Sequence, residues 1–263
     1  MIGKDRIITA VWTLPLLAAG VVYLPVWGIA CLFGLLAAVG QWELYRFHFK
    51  NGLPAFAWVG CIAGALVVAG ALGPHPYLPL ALGAALVLIL RMGSSRPMES
   101  AITEAGVVVL GLAYVAVLLS HFPLLRQAEG GIGWLFFVML VTWSGDAAAY
   151  FVGSKIGKTK LTAVSPNKTV EGTLGGIVAS IIAAYIGMSF VPGLCLWDPL
   201  FIGILMGILA LLGDLVESLF KRGAGVKDSS TLIPGHGGVM DKLDAFLLTA
   251  PGLYYYLTLV VWN

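Results

Sequence analysis

DPLFIGILMGILALLGDLVESLFKRGAGVKDSSTLIPGHGGVMDKLD, residues 198–244, decides the architecture. Its first half, 198–220, is an apolar run long enough, at about 1.5 Å per residue, to cross a hydrocarbon core of about 30 Å. A second apolar run, 241–261, follows. Between them, 221–240 carries Lys221, Arg222, Lys227, Asp228 and His236, spaced by glycines, and Asp241, Lys242 and Asp244 open the next run. A connector between two spans needs only polarity and a turn. This one holds a dense mixture of cations, carboxylates and a His-Gly-Gly turn, and reads as an active-site loop.

The rest of the chain has the same character. Of 263 residues, 59% are hydrophobic and 11% charged, and the mean hydropathy is +0.95. Soluble domains carry about 25% charged residues. The composition therefore predicts an all-α, polytopic integral membrane protein. It is read as a single membrane domain over 1–263, with no internal repeat and no low-complexity linker. Spans are expected at 7–24, 26–47, 54–73, 76–91, 101–122, 132–152, 173–192, 198–220 and 241–261, about nine in all. The run 76–91 is short and contains Pro79, which suggests a tilted, broken or interfacial segment. Residues 1–24 resemble a signal peptide in layout, but the charge pattern works best with this segment kept as a span.

With the N-terminus inside, fourteen of the fifteen Lys and Arg fall in cytoplasmic segments, and only Arg126 falls outside. That bias predicts an N-in, C-out orientation with cytoplasmic loops at 153–172 and 221–240. Tryptophans lie mostly toward span ends, as interfacial anchors do. Gly60-Cys-Ile-Ala-Gly64 suits close helix packing. Cys31, Cys61 and Cys195 share no metal spacing and read as free, buried thiols. His48, His75 and His121 read as interfacial.

Ionisable groups within spans are costly and usually functional. Glu43, Glu104, Asp146, Asp214, Glu217, Asp241 and Asp244 all fall in the expected cytoplasmic half. A proton or ion pathway would place some of them at the midplane or beyond. Chemistry between a water-soluble substrate and a lipid headgroup would collect them at this level. Asp214, Glu217, Ser218 and Lys221 fall at i, i+3, i+4 and i+7, on one helix face, and Asp241 and Asp244 share another. Such oxygens suit Mg²⁺, which takes one or two carboxylates plus substrate phosphates. For Glu43 and Glu104 an ordinary salt bridge to nearby lysines is the stronger expectation.

The loop 153–172, GSKIGKTKLTAVSPNKTVEG, is cationic and contains the compact turn Ser165-Pro-Asn-Lys168-Thr169. It fits a triphosphate or an anionic headgroup. No Walker A pattern, catalytic triad or Cys/His zinc site is present.

These motifs resemble those of the phosphatidate cytidylyltransferases, or CDP-diacylglycerol synthases. Ser218, Lys221-Arg222, Lys227-Asp228, Pro234-Gly-His236-Gly-Gly238 and Asp241-Lys-Leu-Asp244 follow the family signature. Asp146-Ala-Ala-Ala-Tyr150 and Ser165-Pro-Asn-Lys-Thr-Val-Glu-Gly172 are similar to two further family stretches. The resemblance covers about 140–250. Lys242 stands where the family usually has Arg, and lacks its bidentate fork; Val170 and Ala147 replace the usual Trp and Thr.

The resemblance implies transfer of CMP from CTP to phosphatidate, giving CDP-diacylglycerol and pyrophosphate. It implies Mg²⁺, with a second cation left open, a bacterial inner membrane, a homodimer and no nucleic-acid partner. On that basis Asp214, Asp241 and Lys221 are expected to be catalytic. Asp214 and Asp241 would hold metal, with Asp244 a third candidate. Lys168, Lys221, Arg222 and Lys227 would bind phosphates. Asp146, Ser165, Thr169, Asp228 and His236 would shape the substrate pocket, with Ser218 and Lys242 beside them. Two other readings stand beside this one. One is a related lipid–CTP enzyme, acting on an ether-lipid phosphate or as a polyprenol kinase. The other is a transporter, which would call for carboxylates in both membrane halves and paired broken spans.

Overall fold

The computed structural model describes residues 15–233 and 237–262. The expected span 7–24 is therefore seen only as a helix over 15–23, and its earlier residues lie outside the described ones. Among the described residues the secondary structure is helical, with only isolated bridges at Lys160–Thr169 and Ile233–Gly237. In hydrocarbon every backbone amide must be satisfied within its own segment, and a helix does so.

We label the helix over 15–23 α1. It is followed by α2 (Val26–His48), α3 (Ala55–Gly70), α4 (Leu78–Met92), α5 (Ala101–Gly111), α6 (His121–Gln127), α7 (Gly131–Ile156), α8 (Val170–Gly187), α9 (Asp198–Ala224) and α10 (Met240–Tyr256). Among the described residues, six segments are long and apolar enough to cross a membrane: Val26–His48, Met98–Gln127, Gly131–Ile156, Val170–Phe190, Asp198–Ala224 and Met240–Val261. The chain is thus an all-α membrane protein. Helices α3 and α4 are apolar but shorter. Pro79 does not break α4; it sits in the first turn, where its missing N–H has no partner to lose.

The chain forms two compact units. The first comprises Met1–Leu124 and Ala224–Lys242, the second Leu125–Gly223 and Leu243–Asn263. In the first, Ile29, Phe33, Ala37, Tyr45, Phe56, Val68, Val108 and Leu112 are buried. The Gly60/Gly64 face works as expected: a side chain at Gly64 would collide with the Gln41 amide. The glycines let α2 approach α3 closely enough for Gln41 Nε2 to donate to Gly60 O at 3.3 Å and to Tyr45 Oη at 2.8 Å. Tyr45 Oη in turn donates to Val108 O at 2.9 Å. In the second unit α7 packs along α8, and Gly145 meets Ser180, whose hydroxyl donates to Val141 O at 3.3 Å.

Three expectations need correction. His121 is buried, not interfacial; its Nδ1 lies 3.1 Å from the carbonyls of Val117 and Leu118. Val117 ends a π-helical stretch, Leu112–Val117, and Leu118 is its C-cap. Of the cysteines, all free, only Cys61 is buried within the chain. The loop after α9 begins later than expected, because the helix runs to Ala224 and holds Lys221 and Arg222 in its last turns. Cations there complement the helix C-terminus.

Gly64→Leu overpacks the α2–α3 contact and should cost about 1–3 kcal/mol. It should lower the unfolding midpoint in detergent. Gly106→Leu, at a position open to its surroundings, should leave that midpoint unchanged.

Candidate active site

The polar groups of the second unit converge on Asp214. This residue lies in α9, one residue after Gly213, where any side chain would strike the Asp244 backbone of α10. The absent Cβ brings the two helices together at the level of both carboxylates. Asp214 Oδ2 pairs with the Lys168 ammonium, and Ser218 Oγ, one turn along α9, donates to Asp214 Oδ1 at 3.1 Å. Asp244 lies within the electrostatic reach of Asp214, Asp146 and Lys221, and Asp146 within that of Lys168 and Asp214. Three carboxylates and two cations thus share one locality. Next to it, Lys221 Nζ pairs with the fully buried Glu217 at 2.7 Å, an i,i+4 contact within α9.

Lys168 is presented by a folded loop. Leu161 N donates to Lys168 O at 3.0 Å, Lys168 N to Ser165 O at 3.0 Å, and Val170 N to Thr159 O at 2.9 Å. Glu171 closes the loop by accepting from Lys158 N at 3.1 Å and Thr159 N at 3.1 Å. Thr169 is buried and caps α8, its Oγ1 accepting from Gly172 N at 3.1 Å. Its work is to start the helix after Lys168. Ser165 lends its carbonyl to the turn.

The first unit holds the other group of motif residues. Asp241 Oδ2 accepts from Ser229 N at 2.9 Å, Ser229 Oγ at 2.8 Å and Gly238 N at 2.7 Å. This ties the two ends of the loop 225–239 together. Lys227, Asp228 and Lys242 are exposed, as is Arg222 in the second unit. His236 lies outside the described residues.

Two carboxylates depart from one another in a way the sequence did not distinguish. Glu104 forms a salt bridge as expected, though to arginines and not lysines: it pairs with Arg91 at 2.7 Å and Arg96 at 2.8 Å, and is almost fully buried. Glu43 does not. Its partners are not lysines but Ser229 Oγ at 3.0 Å, Ser230 Oγ at 2.5 Å, Val239 N at 3.0 Å and Met240 N at 2.7 Å. Sequence reasoning passed over Ser229 and Ser230, which carry no charge and no periodic signal. Their place beside the Lys227-Asp228 pair was the only hint.

The profile of the cytidylyltransferase family matches residues 4–260. The chain belongs to this family. A phosphatidate cytidylyltransferase of Synechocystis sp. is 31% identical over 290 residues, spanning 98% of this chain and 97% of its own length. One from Bacillus subtilis is 41% identical over 162 residues, 59% of each chain. One from Helicobacter pylori is 37% identical over 185 residues, 65% of this chain and 69% of its own.

Glu104→Gln leaves Arg91 buried with a weakened partner and should destabilise the protein by about 3–5 kcal/mol. Lys168→Ala removes a half-exposed pair and should change stability by about 1 kcal/mol or less. Thermal unfolding in detergent separates the two.

Proposed function

We propose that this chain is an enzyme that transfers CMP from CTP to phosphatidate, giving CDP-diacylglycerol and pyrophosphate for phospholipid synthesis. The observation that carries the reading is the gathering of Asp146, Asp214 and Asp244 with Lys168 and Lys221 in one unit of a cytidylyltransferase-family chain. The named relatives in Synechocystis, Bacillus and Helicobacter supply the lipid acceptor.

The chemistry needs little proton transfer. The phosphatidate phosphate is already an anion, and one of its oxygens attacks the α-phosphorus of CTP in line. A new P–O bond forms, the α–β bridging P–O bond breaks, and pyrophosphate leaves with the electron pair. The obstacle is the meeting of two polyanions and the charge that builds on the leaving group. We assign Lys168 and Lys221 the offsetting of that charge, with Arg222 as a further phosphate contact; the same role for Lys227 rests on the motif resemblance. In the second unit Asp146, Ser165 and Ser218 would shape the surrounding pocket; for Asp228, His236 and Lys242 a substrate-binding role rests on the motif resemblance alone.

The donor set fits Mg²⁺. Asp214 and Asp244 offer hard carboxylate oxygens, and Mg²⁺ completes its shell with substrate phosphates and water. Among the described residues no group of three or more His, Cys, Asp or Glu side chains is arranged to hold an ion. Bound there, the ion would neutralise the triphosphate. Asp241 was expected to ligate directly; with its Oδ2 taken by three loop donors, we assign it the shaping of that loop.

We place the protein in a bacterial inner membrane as a homodimer, with about nine spans, the N-terminus inside and the active site facing the cytoplasm. The acyl chains of the substrate stay in the bilayer.

The test is purified protein in detergent with phosphatidate and α-labelled CTP. Label should enter the lipid with release of pyrophosphate, only when Mg²⁺ is present. Asp214→Asn and Asp244→Asn should each slow this by at least about 100-fold, the scale of losing one partner of a developing charge. Wild-type rates in both folded variants would remove the assignment. Labelling of an ether-lipid phosphate in place of phosphatidate would move the enzyme to another acceptor.

A further inference from the structure

Glu43 lies far from the motif residues in sequence and has no cationic partner among the described residues. It is fully buried in α2, yet its carboxylate accepts four hydrogen bonds, all from 229–240. Oε1 receives Ser230 Oγ at 2.5 Å and Val239 N at 3.0 Å. Oε2 receives Ser229 Oγ at 3.0 Å and Met240 N at 2.7 Å. The two amides lie at the start of α10, where N–H groups have no intrahelical acceptor and the helix dipole favours an anion. The loop ends thus converge on one buried charge. Gly238 allows this approach: a Cβ there would run into Glu43 and Ser229.

The chemistry demands a carboxylate. Both backbone donors are fixed as donors, one on each oxygen, so each oxygen must accept. An amide side chain would turn its own N–H₂ toward one of them. Aspartate would keep the acceptors but shorten the reach by a methylene. Ser229 also links Glu43 to Asp241: its single hydroxyl proton is shared between Glu43 Oε2 and Asp241 Oδ2, the latter at 2.8 Å.

We propose that Glu43 is a positioning residue for the transfer reaction. It touches no substrate. It sets the shape of the loop that carries Lys227, Asp228 and Asp241, and so the geometry in which that loop meets the nucleotide. The inference rests on the cytidylyl-transfer reading for its rate consequence, but not for its structural one.

The experiment compares wild type, Glu43→Gln, Glu43→Asp and Ser230→Ala in detergent. Two readouts are needed: amide hydrogen exchange along the chain, and kcat and KM for CTP with phosphatidate. Glu43→Gln should speed exchange of the amides in 226–240 while α3 and α7 exchange as before. It should lower kcat/KM for CTP by at least about tenfold, the scale of one lost hydrogen bond to a charged group. Glu43→Asp should recover part of that loss. If Glu43→Gln does not fold, Ser230→Ala decides, since it removes one donor and leaves the carboxylate; it should loosen the same segment and slow turnover in the same direction. The proposal is overturned if the loop of the folded variant exchanges like wild type. It is also overturned if the loop loosens while kcat/KM stays within twofold of wild type, or if every helix loosens equally. Should wild-type protein transfer no CMP to phosphatidate, the reaction assignment fails, and exchange still reports whether Glu43 holds the loop.

Discussion

A carboxylate inside an apolar helix must find donors or cations, because hydrocarbon supplies neither. That constraint organises the polar anatomy of this chain. Glu104 is answered by Arg91 and Arg96. Glu217 is answered by Lys221, and Asp214 by Lys168 and Ser218. Asp198, at the start of α9, takes the Tyr256 hydroxyl at 2.8 Å and the Cys195 amide at 2.7 Å. Glu43 is answered by a folded loop. Apart from the Glu217–Lys221 pair within α9, each answer pins a loop or a neighbouring helix in place.

The answers differ in kind, and the difference separates scaffold from chemistry. Arg91 also donates to Pro97 O at 2.6 Å, Ser94 Oγ at 3.0 Å and Ser100 Oγ at 3.2 Å, so its charge is wholly engaged in joining α4 to α5. The Asp214 locality is less closed. Lys168 and Asp214 remain about a quarter and a third exposed, and Asp146 is exposed. Carboxylates crowded together with fewer fixed cations than anions suit an arriving cation and phosphate better than a permanent structure.

Much of this was legible in the residues. Apolar run lengths predicted the long helices, and Asp214 and Asp244 were read as lying on apposed helix faces. The Gly60/Gly64 packing face was also legible, because small residues four apart have one helical meaning. That Glu104 would be salt-bridged was expected, but its partners are arginines where lysines were expected. Other features had no local signal. Thr169 read as a residue shaping the substrate pocket, and only the start of α8 reveals it as a cap. Glu43 looked like Glu104, since both are single acids in apolar helices.

The sequence by itself determined the class of protein, the helical segments and the residue types that chemistry would need. Periodicity and hydropathy are local, and a bilayer leaves a chain few alternatives. Tertiary structure alone decided which donors Glu43 meets. That choice depends on contacts across nearly two hundred residues, as between Glu43 and the amides of Val239 and Met240, and no spacing along the chain encodes it.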